Sequence, residues 1–135
     1  MGGDIDIKAL VVEAWTKWAD GDHGRAAFGL IDESVVWTVT GSTAASGQYT
    51  SKSDAIERLL RPIGEKLDGR VTAHLGSVLA DGDRVAVEFG GTATRRTGQP
   101  YNQTYCWVMR FDGDRIVEVT AYVDTALVAE VLADP

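Results

Sequence analysis

The spacing of the tight-turn signals constrains this chain more than any other feature. Asp81-Gly82-Asp83 and Asp112-Gly113-Asp114 each separate two β-rich runs. An Asp-Gly pair between such runs is a strong local hairpin signal. Thr97-Gly98-Gln99-Pro100 makes a third turn between them. Residues 71–80, 84–95, 103–111 and 115–123 therefore read as four strands. Their short connections make them antiparallel neighbours.

The first half follows a different period. Ile7, Leu10, Val11, Ala14, Trp15 and Trp18 recur at helical spacing, and Asp20-Gly21-Asp22 ends that stretch. A short helix fits residues 25–31, and residues 35–40 are β-branched and aromatic, which suits a strand. Residues 41–47 read as a small-residue loop. Ser51 caps a third helix, with Asp54 three residues on. Ala55, Ile56, Leu59, Leu60 and Ile63 form its apolar stripe, and Pro62 is expected to kink or shorten it. Residues 124–132 read as a closing helix. The order is α-α-β-α-β-β-β-β-α. Helices early and strands late mark an α+β fold in one domain, residues 1–135, with residues 1–4 expected to be unstructured or a remnant of cloning. Gly90-Gly91 inside a long strand implies a bent sheet. A bent sheet closed by helices encloses a cone-shaped apolar pocket.

Composition narrows the function. A net charge of −7 argues against a nucleic-acid surface. Arg95-Arg96 reads as two solvated charges near a turn. The lone Cys106 cannot form an internal disulfide and reads as a small buried apolar side chain. No Cys/His set has metal-ligand spacing, so no metal or other cofactor is implied. Without a signal-peptide pattern or an apolar run of spanning length, neither membrane insertion nor export is expected, and the chain reads as cytoplasmic.

Several segments, taken in order, resemble the SnoaL-like polyketide cyclases and the related ketosteroid isomerases, which share the nuclear transport factor fold. They are Trp18-Ala19-Asp20-Gly21-Asp22, Val35-Val36-Trp37-Thr38-Val39-Thr40-Gly41, Gly47-Gln48-Tyr49-Thr50, Asp112-Gly113-Asp114-Arg115-Ile116-Val117-Glu118 and Ala121-Tyr122-Val123-Asp124-Thr125. The resemblance runs from about Ile7 to Leu132. It implies a curved antiparallel sheet, an apolar cavity and a homodimer through the sheet, which sedimentation at micromolar concentration reads directly. The scaffold hosts many chemistries and does not itself select one.

The catalytic sets of two relatives are missing. The ketosteroid-isomerase base aligns with Thr38, its protonated Asp near Trp107 and its Tyr near Ala14; none of these can do the same work. The positions of a limonene-epoxide-hydrolase-like Arg and its two carboxylates fall near Phe89, Gly91 and Ala121. For a cyclase-like proton transfer next to a carbonyl, the resemblance points to Asp124 as acid/base. Asp124 also stands where a helix N-cap is expected. Strand alternation puts Val119, Ala121 and Val123 on one face and Glu118, Thr120, Tyr122 and Asp124 on the other. His74, mid-strand, carries an imidazole, a side chain suited to shuttling protons, and is the second acid/base candidate. His23 sits in a polar turn and reads as solvated, and Glu88 as a solvent- or dimer-facing carboxylate.

Trp15, Trp18, Trp37, Trp107, Tyr49 and Tyr105 suit a flat, ring-containing hydrophobic ligand, since aromatic faces stack and Trp or Tyr adds a polar handle. Tyr105 and Trp107 share a strand face with Met109. Thr38, Leu59, Phe89 and Val119 complete the expected cavity wall. Tyr101, Asn102 and Gln103 stand at the strand mouth, where amides can hold a ligand carbonyl. The expected activity is cofactor-free isomerisation, cyclisation or dehydration. The alternative is a binding or dimerisation module without chemistry.

Overall fold

A computed structural model describes residues 5–135; residues 1–4, and the expectation made for them, lie outside the described residues. Helix α1 (Ile7–Lys17) begins at the Asp6 cap, whose carboxylate accepts from the Ala9 amide at 3.0 Å. It widens into a π-turn, Trp18–Asp22, that ends with Gly21 and His23 at positive φ. After α2 (Arg25–Gly29) come β1 (Ile31–Val39) and the short β2 (Gly47–Tyr49). The next helix runs as α3 (Lys52–Ala55), a π segment (Ile56–Leu60) and α4 (Arg61–Gly64). Strands β3 (Leu67–Asp81), β4 (Arg84–Arg95), β5 (Pro100–Asp112) and β6 (Arg115–Val123) follow, then α5 (Thr125–Leu132).

The third helix changes its hydrogen-bonding pattern just before Pro62. Proline removes one helical donor and its ring crowds the carbonyl four residues back. The preceding turn relaxes to π geometry, with the Arg61 amide reaching back to the Ile56 carbonyl.

The six strands form one curved sheet in the order β2-β1-β6-β5-β4-β3. The antiparallel meander β3 to β6 is as the turns implied. Two additions were not expected. Strand β1 lies parallel to β6, and β2 pairs antiparallel with its outer edge. β1 also starts earlier than residue 35, because Ile31 is buried and pairs with Ile116 across a break in register. The break is a local turn in which Asp32 accepts from the Ser34 amide and hydroxyl.

The bending devices differ from expectation as well. The β4–β5 register runs unbroken through Gly90 and Gly91. The irregularities lie in β3, between Asp68 and Thr72 and between Leu75 and Val78. Bulges of this kind bend a strand and increase its twist. The second bulge reverses the in/out parity. Leu75 pairs with the inward Phe89, while Val78 pairs with the inward Val87. Leu79 is thereby left 70% exposed.

The core fills the concave side of the sheet under the helices. Trp15 has no exposed surface and meets Trp107 edge-on at 5.6 Å and Phe89 at 5.5 Å. Each fully buried side chain of this size contributes about 1.5–3 kcal/mol of transfer free energy. A smaller cluster of Leu67, Tyr101 and Val131 seats α5. Beside it Arg95 is buried, contrary to its reading as a solvated charge. Its guanidinium grips the Asp134 carboxylate at 2.6 and 2.8 Å and reaches Glu130 at 3.2 Å. That hydrogen-bonded pairing holds the Asp134 carboxyl below the usual carboxylate range. Among the described residues, no helix is long and apolar enough to cross a membrane.

Candidate functional site

The concave face and the helices leave a cavity of about 610 Å3. That volume lies within the usual range for small-molecule sites. Its wall is built by alternation. On β5, Tyr101, Tyr105 and Trp107 point inward, and on β6 Ala121 and Val123 do the same. Trp37 and Val39 come from β1, Trp18 and Phe28 from the first helices, and Leu59, Leu60 and Ile63 from the third helix. Val128 of α5 closes one end.

Inside this largely carbon-lined space stand two phenols. Tyr101 and Tyr105 both line the cavity from β5. Burial raises the pKa of Tyr101 and pushes that of Tyr105 well above the ordinary phenol range. Both therefore stay neutral and keep a hydroxyl proton to donate. Tyr105 is fixed by stacking flat on Phe89, with ring centroids 4.6 Å apart and planes 12° off parallel. Gly91, directly under that ring, makes the approach possible. A Cβ there would stand 2.8 Å from Tyr105 Cε2 and 2.8 Å from Val71 Cγ1.

Gln103, buried beside the pair, orients it. Its Oε1 accepts from the Thr104 amide at 2.9 Å and the Asp124 amide at 2.8 Å. Two N–H donors on one atom identify that atom as the oxygen. Its Nε2 then donates to the Asp124 carbonyl at 3.1 Å and to the Tyr101 hydroxyl at 3.4 Å. Tyr101 thus accepts from Gln103 and keeps its own hydroxyl proton to donate. Chains of this kind polarise each member in turn.

The expected site residues divide into three groups. Trp18, Trp37, Leu59, Tyr105 and Trp107 line the cavity together. Trp15, Phe89, Val119 and Tyr49 are buried behind that wall and do not line it. The Tyr49 hydroxyl is occupied, donating to the Ala45 carbonyl at 2.7 Å. Thr38 and Asn102 have the opposite parity and lie on the outer, convex face, where Thr38 pairs with Thr120 and Asn102 with Thr92.

Both acid/base candidates also lie away from the cavity. His74 is exposed on the outer face, its Nε2 2.9 Å from the Thr92 hydroxyl. Asp124 is exposed and caps α5, its Oδ1 accepting from the Leu127 amide at 3.3 Å. The family-like Tyr-Val-Asp motif thus serves the cavity through the Asp124 backbone, which clamps the Gln103 amide. Glu88 is exposed on the outer face, in keeping with its reading. Cys106 is half-buried there, across from Glu88 and Tyr122, with its thiol pKa raised by burial and by the Glu88 charge.

Other lining residues escaped sequence reasoning. Phe28, Val71, Arg61, Arg70 and Arg96 all border the cavity. His23, read as solvated, stands at its mouth with φ at 61°. Tyr101 and Gln103 carried a signal, since they share the parity of Tyr105 and Trp107. Their link to Asp124 spans 21 residues and has no local mark.

The comparisons with known proteins agree with this architecture. An NTF2-like protein from Burkholderia thailandensis superposes with a TM-score of 0.75 at 25% identity, covering 97% of this chain and 100% of that one. A candidate isomerase from Bacillus subtilis gives a TM-score of 0.73 at 20% identity, with 94% and 95% covered. TerC, whose crystals were grown with polyporic acid, gives 0.73 at 15% identity, with 95% and 98% covered. The last two likenesses speak to the fold alone. No curated protein matches the chain. The family model of the SnoaL-like domain matches residues 11–119, and the chain belongs to that family.

Proposed function

We propose that the protein binds a flat, ring-containing hydrophobic carbonyl compound, with the carbonyl oxygen accepting from the Tyr105 hydroxyl. The observation that carries this reading is the presence of two neutral phenols, Tyr101 and Tyr105, in the wall of an aromatic cavity. A hydrogen bond made there forms out of water, where it is stronger than on a surface. It also draws electron density toward the carbonyl oxygen, which is the electrophilic half of enolisation chemistry. Asp124 and His74 do not touch the ligand in this arrangement.

A second reading, isomerisation or cyclisation next to the carbonyl, is favoured by His23 and Glu65 at the mouth, the lining residues able to take a proton. Loss of solvent-exchangeable deuterium from the carbon beside a bound carbonyl separates it from binding alone.

The test is calorimetric titration with 2-acetylnaphthalene and with 2-ethylnaphthalene, which lacks the oxygen. The ketone is expected to bind up to about tenfold more tightly, a ratio that Tyr105→Phe reduces to near one. Equal affinities in the wild type, or a ratio unchanged in Tyr105→Phe, would refute the carbonyl assignment. Absence of heat from either compound would refute binding of this class.

A further inference from the structure

Positive charge outnumbers negative at the cavity mouth. Arg61, Arg70 and Arg96 border it against one carboxylate, Glu65, in a chain whose net charge is −7. The three come from separate places: the start of α4, strand β3 and the turn after β4. Folding, not a basic run of sequence, brings them together. Two are partly engaged. Arg61 pairs with Glu57 at 2.6 Å, and Arg96 donates through Nε to the Glu65 carbonyl at 2.7 Å. The Arg70 guanidinium makes no ion pair among the described residues.

A bulge brings Arg70 to this mouth. Residues 69–71 of β3 stand opposite the single residue Ala93, between the Asp68–Thr94 and Thr72–Thr92 pairs. A regular strand would turn Arg70 away from the face of Gly69 and Val71. Here all three border the cavity. Gly69, at φ 90°, takes the left-handed step. The Val71 carbonyl accepts from the Trp18 indole Nε1 at 2.9 Å. The bulge is thus fastened to the π-turn that ends α1. His23 follows that turn, and both it and Arg70 border the cleft that continues the cavity outward. Asp22, which also borders that cleft, is held by the Gly24 and Ala26 amides at 2.7 and 3.0 Å.

We propose that the ligand is an amphipathic anion, with its apolar rings against the aromatic wall and a carboxylate held at the mouth by Arg70, Arg61 and Arg96 adding to the attraction. The inference rests on the binding reading above and narrows its ligand class. A guanidinium fork matches a carboxylate in geometry as well as charge. Low-dielectric walls behind the mouth focus its field on an approaching anion.

The probe is 6-acetyl-2-naphthoate, with its methyl ester as the neutral twin, titrated into the full chain by calorimetry. The acid is expected to bind about tenfold more tightly than the ester at low salt, as for a hydrogen bond to a charged group. Arg70→Gln is expected to remove most of that preference and leave the ester unchanged, while Arg70→Lys keeps part of it. Added salt is expected to weaken only the acid. Equal affinity for acid and ester overturns the anion proposal and leaves the carbonyl-binding reading standing. A preference that survives Arg70→Gln, in a variant with an unchanged circular dichroism spectrum, overturns the assignment to Arg70. Failure of both compounds to bind overturns this proposal together with the reading beneath it.

Discussion

Two neighbouring rows of the sheet differ by one residue step and by nearly everything else. Val87, Trp107, Ala121 and Val39 run across four strands on the concave side, all buried. One step away, Glu88, Cys106 and Tyr122 run across three of the same strands on the convex side, with Glu88 and Tyr122 exposed. The first row belongs to the apolar core side and the second to the polar, solvent-facing side. The contrast shows why conspicuous chemistry misleads in this fold. Charging a group in the cavity costs desolvation, so carboxylates and imidazoles gather where water reaches them. The wall keeps phenols and indoles, which combine apolar bulk with one donor. A search for side chains that titrate near neutrality therefore finds the convex face first.

The contrast breaks most sharply at Trp107, which touches Trp15, Trp37, Phe28 and Phe89. Trp107→Ala is expected to cost about 3–5 kcal/mol in urea unfolding and to abolish binding of 2-acetylnaphthalene. A loss below 1 kcal/mol, on the order of a surface change, would mean the wall is not the core. Gly91→Ala tests the approach of Tyr105. The added methyl must displace the phenol ring or Val71, so a cost of about 1–3 kcal/mol and weaker ketone binding are expected. Stability and affinity equal to wild type would show that the close approach is not needed. The smallest effects are expected outside the cavity. Asp124→Ala should cost about 1 kcal/mol as a lost helix cap, and His74→Ala less than about 0.5 kcal/mol, both with ketone affinity intact. Loss of ligand binding in either variant would return these residues to the site.

The meander was legible because each hairpin carries its own local turn chemistry. Alternation also grouped Tyr105 and Trp107 on one face, and Val119 with Ala121. Alternation cannot say which group faces inward, which is why Thr38 and Asn102 joined the expected cavity wall from the other side. It also fails across an extra residue. The bulge between Leu75 and Val78 reverses the parity of β3 without any proline or paired glycines to announce it. The least legible contacts join distant segments. Gln103 clamps the Asp124 backbone, and Arg95 grips Asp134 from 39 residues away. Nothing in the sequence near Arg95 distinguishes a buried guanidinium from a solvated one, because its partners lie at the far end of the chain.

The gathering of tryptophans gives the molecule a built-in optical gauge. The chain has four, and all are buried together, with Trp37 and Trp107 centred 4.9 Å apart and Trp15 and Trp18 5.8 Å apart. Among the described residues, the indole N–H groups of Trp15 and Trp37 find no protein acceptor. With all four tryptophans on the concave side, tryptophan fluorescence from this protein reports on the cavity and its immediate wall.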